Sequence, residues 1–283
     1  MPYQPPEADE LKIIYQEIIE GCSPVSEGNY YIKHLTDVEQ VDLLRKKIEI
    51  YNSYLDSGAP SETARLKELA ETNEWTQDDE DKIASLKYLI KDNERNLPTI
   101  IAQQQGPIRK IIDDSRVELY KKVQDRQGAL GITADYVSEK DAVNYLIFAS
   151  CYNDRACKDK RFASWTDFEA MDEDEINFYV RNYDSVFAKF RESNLRKISV
   201  LAFFLNTFSF SKESFETFLG KPIIQLTPYQ LNLFSLGSRN LSILNQTTGE
   251  PPELVGDTKI DDIVTWFDQS YSVLAGKRKS EKS

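Results

Sequence analysis

Apolar residues along this chain recur mostly at intervals of three and four, the repeat of helices that bury one face. Leu11, Ile14, Tyr15, Ile18 and Ile19 place a first helix over residues 10–20, with Gly21 at its expected C-terminal cap. Residues 1–8 are proline-rich and read as extended. Residues 23–35 read as a loop around His34, the only histidine. Thr36 and Glu39 have the spacing of a capping box. The helix they start, to about residue 56, carries Val41, Leu44, Ile48, Tyr51 and Leu55 at 3, 4, 3, 4, a coiled-coil-like seam.

The same narrow patterning continues. Leu66 and Leu69 mark a short helix, and Thr76 with Asp79 opens another whose seam is Ile83, Leu86 and Ile90. Pro107 opens a further helix with Ile108, Ile111, Ile112, Leu119 and Val123 on one side, broken at residues 128–131. A narrow stripe is satisfied equally by an antiparallel hairpin within the chain or by a helix from another chain. Beyond residue 131 aromatic residues become frequent. Ser138 with Asp141, Thr166 with Glu169, and Asp172 with Glu175 have helix-start spacing, and Thr227-Pro228-Tyr229-Gln230 is the clearest start of all. Residues 197–210 (KISVLAFFLNTFSF) are the most apolar stretch. They are shorter than the roughly 20 residues of a bilayer span and read as one buried core helix.

These patterns predict an all-α fold. Residues 1–130 form an array of long amphipathic, coiled-coil-like helices, and residues 131–246 a compact, aromatic-rich helical domain. Residues 247–283 supply a linker, a docking helix built on Ile260, Ile263, Val264, Phe267, Tyr271 and Leu274, and a basic tail expected to be disordered.

Composition narrows the function. A length of 283 residues with 40% hydrophobic and 29% charged residues describes a globular chain. The net charge of −12 disfavours nucleic acid, whose binding rests on clustered lysine and arginine. The N-terminus lacks a basic segment followed by an apolar run, so no signal peptide is expected, and no membrane partner. Three scattered cysteines suit a reducing compartment.

Candidate chemistry is sparse. There is no P-loop, no G-x-G-x-x-G and no G-x-S-x-G, and one histidine precludes a two-histidine metal site. Cys22, Cys151, Cys157 and His34 are a Cys3His set by number, but not at zinc spacing. A cysteine paired with His34 as nucleophile has no local signature. Acidic clusters fall mostly in first helical turns, where they offset the helix dipole. We therefore expect no enzyme activity, no cofactor and no metal. Residues 158–161 are basic and stand beside Phe162 and Trp165, so Arg161, Phe162 and Trp165 form a second candidate contact, for protein or for single-stranded nucleic acid.

From residue 173 to 244 the chain resembles a segment of proteins from T4-like tailed bacteriophages. The resemblance rests on Asp174-Glu175-Ile176-Asn177-Phe178-Tyr179, Phe203-Phe204-Leu205-Asn206-Thr207-Phe208, Gly220-Lys221-Pro222, Leu226-Thr227-Pro228-Tyr229-Gln230 and Leu233-Phe234-Ser235-Leu236-Gly237. It implies a tail or baseplate assembly protein, hub-associated or a dedicated assembly factor, found in the virion or the host cytoplasm. Its partners would be other phage structural or assembly proteins, or a second copy of itself. The alternative is a nucleic-acid-associated replication or packaging accessory. The resemblance carries over no functional residues.

Overall fold

The structure, a computed structural model, describes residues 8–97, 105–211, 214–253 and 259–280, the last five of these as backbone only. The expected extended stretch, at residues 1–7, and residues 254–257 of the expected linker lie outside the described residues. The fold is all-α, relieved by three short strands among the described residues. It forms two compact bodies, residues 1–44 with 143–283 and residues 45–142. The boundary expected near residue 130 is therefore displaced, and the N-terminal 44 residues belong with the aromatic-rich part. The reason is the apolar face of α1 (Ala8–Glu20): Leu11, Ile14 and Ile18 are buried in the same core as Phe204, Phe208 and Leu233.

In the first body, Gly21 ends α1 at φ 76° and its N–H donates to the Glu17 carbonyl at 3.0 Å. The region expected to be a loop is instead a hairpin, β1 (Cys22–Val25) and β2 (Tyr30–Lys33), joined antiparallel by β3 (Cys151–Tyr152). Gly28 and Asn29 take the positive φ angles that its tight turn demands. The apolar stretch at 197–210 is two helices, α9 (Glu192–Ser199) and α10 (Ala202–Phe210). They part where Leu201 turns extended, and Asn240 satisfies the end of α9 by donating to the Ser199 carbonyl at 3.0 Å. Asn240 lies on α12 (Pro228–Gln246), which has the expected Thr227–Gln230 capping box. Gln230 is fully buried and does double duty. Its Oε1 accepts from the Thr227 N–H at 3.0 Å, and its Nε2 donates to the Ile18 and Ile19 carbonyls of α1 at 2.8 and 3.0 Å. The last helix, α13 (Ile260–Ser280), docks Ile263 and Phe267 against Val200 and Ile243, with Lys197 paired to Asp261 at 2.8 Å. Its backbone stays helical to Ser280, so the tail expected to be disordered continues the helix over residues 276–280.

The second body holds the residues from 45 onward of α2 (Asp37–Asp56), then α3 (Glu62–Thr72), α4 (Gln77–Asn96), α5 (Gln105–Leu130) and the start of α6 (Ala134–Ser150). α4 and α5 make an antiparallel hairpin: the seam residues Ile83 and Leu86 are buried, as is Ile112. Arg126 bridges Glu62 and Glu80 at 2.7 and 2.6 Å, and Lys122 reaches Asp79 at 3.1 Å. Ile111 and Val123, expected on the inner side of α5, are exposed, because the inward row is Ile112, Ser115, Leu119, Lys122 and Arg126. α5 also runs through Gly128 and ends only at Gly131. α6 begins at Thr133, whose hydroxyl accepts from the Tyr136 N–H at 3.2 Å, and Ser138 lies inside the helix.

Two glycines test this packing in opposite directions. A Cβ on Gly237 would stand 2.8 Å from the Phe208 ring, and one on Gly128 would meet nothing within 4 Å. Gly237→Ala should cost about 1–3 kcal/mol by overpacking. Gly128→Ala, in an open helical position, should gain about 0.5–1 kcal/mol. Urea denaturation of both variants checks the pair.

Candidate protein-contact surface

The seam on α2 is apolar and open. Val41 is 48% exposed, Leu44 57%, Ile48 52% and Leu55 36%, while Tyr51 is half-buried. The helix buries none of its residues fully. The half-buried row along its second-body part is a different one, Lys47, Ile50 and Tyr54. That row meets α6, where Lys47 pairs with Glu139 and the Tyr54 hydroxyl donates to Asp141 at 3.0 Å. The helix thus carries two rows offset by one residue, about 100° around its axis. One packs; of the other, the row singled out from the sequence, Val41, Leu44, Ile48 and Leu55 face solvent and Tyr51 is half-buried. Tyr88 on α4 and Val117 and Tyr120 on α5 are exposed as well. They fall off the buried rows of their helices, a signal that the spacing carried.

The basic–aromatic loop is arranged differently. Phe162 lies 4.8 Å from Phe168 and 5.0 Å from Tyr179 by ring centroids, and Trp165 stacks on Phe168 at 5.5 Å. Phe168 belongs to α7 (Trp165–Glu169), which Ser164 caps by accepting from the Asp167 N–H at 3.2 Å, two positions before the expected cap at Thr166. Both rings are half-buried members of the main aromatic core. Arg161 donates to Asn153 at 3.1 Å, with its guanidinium 5.7 Å from the Tyr30 ring centre. The interleaved aromatics are engaged inside the body, so they offer no stack of open ring faces of the kind that holds unpaired bases.

His34 joins a buried polar cluster that sequence spacing gave no means of finding. Glu17, Ser23 and His34 are all buried. The Ser23 hydroxyl donates to Glu17 Oε2 at 2.6 Å, and Lys189 donates to Glu17 Oε1 at 3.0 Å. His34 Nε2 stands 2.9 Å from Ser23 Oγ. Because the serine proton is committed to the carboxylate, Nε2 must carry its own proton and donate. A serine nucleophile needs the reverse, an imidazole lone pair facing the hydroxyl. The cluster instead ties α1, β1 and β2 to Lys189, which follows α8 (Glu173–Ala188). Phe190 sits 4.6 Å from the imidazole by ring centroids. Burial, aided by the charges of Lys189 and Lys221, pushes the His34 pKa down to about 3. Among the described residues, no group of three or more His, Cys, Asp or Glu stands where it could hold a metal ion. No described helix is long and apolar enough to cross a membrane.

A neutral buried histidine makes stability depend on pH. The folded-state pKa lies below the ordinary value near 6.5, so the contribution is fully present above pH 6.5 and is lost as pH falls toward 3. Between those limits the chain should lose about 1.4 kcal/mol per pH unit from this group. His34→Gln, which keeps a donor for Ser23, should show a correspondingly shallower decline in denaturant titrations at pH 7.5, 6 and 5. Equal slopes would contradict the assignment.

Compared with known proteins, the chain matches no family model, no curated protein and no solved structure.

Proposed function

We propose that this chain is a non-enzymatic assembly protein acting through helix-mediated protein–protein contacts. Its principal docking face is the α2 stripe of Val41, Leu44, Ile48, Tyr51 and Leu55. The observation that carries the reading is the exposure of four aliphatic residues at seam spacing on one helix, a surface that gains by covering another apolar stripe. The occupant we favour is an amphipathic helix of a different protein, since a second copy would bring together two chains of net charge −12. The resemblance of residues 173–244 to T4-like phage proteins supplies the setting, assembly of the tail or baseplate, in the virion or the host cytoplasm. Phe162 and Trp165 are then scaffold for the aromatic body, and Arg161 remains on its surface.

The stripe can be altered without touching a core. Leu44→Gln and Ile48→Glu, both at exposed positions, should change stability by no more than about 0.5 kcal/mol, as surface substitutions do. They should weaken association at least about tenfold, the effect of losing roughly 1.4 kcal/mol of interface energy. Sedimentation velocity with purified tail and baseplate proteins checks both the interaction and its loss. A wild-type chain that stays monomeric alone and in every such mixture would overturn the reading. Association of the chain with itself would replace the favoured partner by a second copy.

A further inference from the structure

Cys22 and Cys157 are both free thiols, far apart in sequence and together in the first body. Both donate to one acceptor, the Arg155 carbonyl oxygen, from 3.3 Å for Cys22 Sγ and 3.9 Å for Cys157 Sγ. Sharing that one oxygen makes the two sulfurs neighbours. Cys22 is the first residue of β1 and is buried. Cys157 is half-exposed and sits at φ 52° in the turn that Asp154 organises by accepting from the Lys158 and Asp159 N–H groups at 2.9 and 2.7 Å. Arg155, between them in that turn, donates from Nε to Glu20 at 2.9 Å and so holds the turn against the end of α1.

Cys22 also borders a pocket of about 180 Å³, with Arg155, Glu20 and Tyr31 around it. A water molecule's share of liquid volume is about 30 Å³, so the pocket admits a small peroxide. The two thiols are electrostatically unequal. The neighbouring Cys157 thiol draws the Cys22 thiol below its ordinary pKa, with Arg155 adding to the effect, although burial and the nearby Glu20 and Glu17 oppose it. The neighbouring Cys22, together with burial, pushes the Cys157 thiol up. The lower thiol is the better source of nucleophilic thiolate, and the higher one is poised to follow it.

We propose that Cys22 and Cys157 are a peroxide-oxidised cysteine pair, with Cys22 the attacking and Cys157 the resolving thiol. The Cys22 thiolate attacks one oxygen of hydrogen peroxide. An S–O bond forms, the O–O bond breaks, and hydroxide leaves, giving the sulfenic acid. The Cys157 sulfur then attacks the Cys22 sulfur. An S–S bond forms, the S–O bond breaks, and the hydroxyl departs with the Cys157 proton as water. The two sulfurs together lose two electrons and the peroxide gains them. An external dithiol returns the pair to its reduced state by exchange. Cys151, buried at the start of β3 and pushed up to about pKa 12 by burial, takes no part.

The test uses the full reduced chain, treated with equimolar hydrogen peroxide, quenched with iodoacetamide and mapped by peptide mass spectrometry. The expected product has lost two hydrogens and contains one linked peptide pair, joining Cys22 to Cys157, with Cys151 still a thiol. Cys157→Ser should stop at a Cys22 sulfenic acid that dimedone captures. The proposal is overturned by a disulfide that includes Cys151, by a link between two chains, by oxidation of Cys157 with Cys22 still a free thiol, or by a Cys157→Ser protein without dimedone label at Cys22.

Discussion

A helix that ends inside a protein must find partners for its last carbonyls, and this requirement at the end of α1 shapes much of the first body. Gln230 meets it. One side-chain amide receives the N–H that opens α12 and gives two hydrogen bonds to the carbonyls that close α1. The groups it serves are more than two hundred residues apart in sequence. Removing the amide would take this partner from the Thr227 N–H and the Ile19 carbonyl, each at a cost of about 1–3 kcal/mol. Asn240 repeats the principle at the break between α9 and α10, and the Glu17–Ser23–His34–Lys189 cluster joins buried polar side chains to one another one turn before the end of α1. Buried amides and charges, each with its partners, thus fix which helix ends meet inside an otherwise aromatic core.

This explains why the chain does not divide where its composition changes. The first 44 residues supply a helix and a hairpin that the aromatic residues close upon, so the body they form is discontinuous in sequence. The second body is continuous and is held differently, by a small core around Leu69, Trp75, Ile83 and Leu130 and by ion pairs along α4 and α5. Such pairs, partly exposed, each contribute little. In this setting an uncovered aliphatic stripe on α2 stands apart from the seams that found their match within the chain.

What could be read in advance follows physical lines. Helices with strong caps and a clean period were legible: α8 from Asp172 and Glu175, and α12 from Thr227 and Gln230, have the capping boxes that their residues imply. The seam of α4 was legible for the same reason. The strands were not, because four residues cannot establish a period, and β3 continues directly from α6. The break in the 197–210 stretch was hidden too, since it depends on Asn240 from another helix. On α12 the buried face includes Gln230 and Asn240, polar residues that a hydrophobic pattern assigns to solvent. The α2 stripe was recognisable as a seam, but spacing cannot say whether a seam is covered. The Glu17–Ser23–His34 cluster and the Cys22–Cys157 pair had no local signature, because tertiary structure alone brings their members together.

The central claim is that the α2 stripe stands uncovered while α1 and α12 bury their apolar faces within the chain. Native-state hydrogen exchange on the dilute monomer, followed by mass spectrometry, measures this most directly, since local opening tracks buried apolar contact. The account predicts that α1 and α12 exchange slowly and together, as the two ends joined by Gln230, while α2 exchanges fastest among the long helices. An α2 as slow as α12 would show that its stripe is already covered, and would contradict the account.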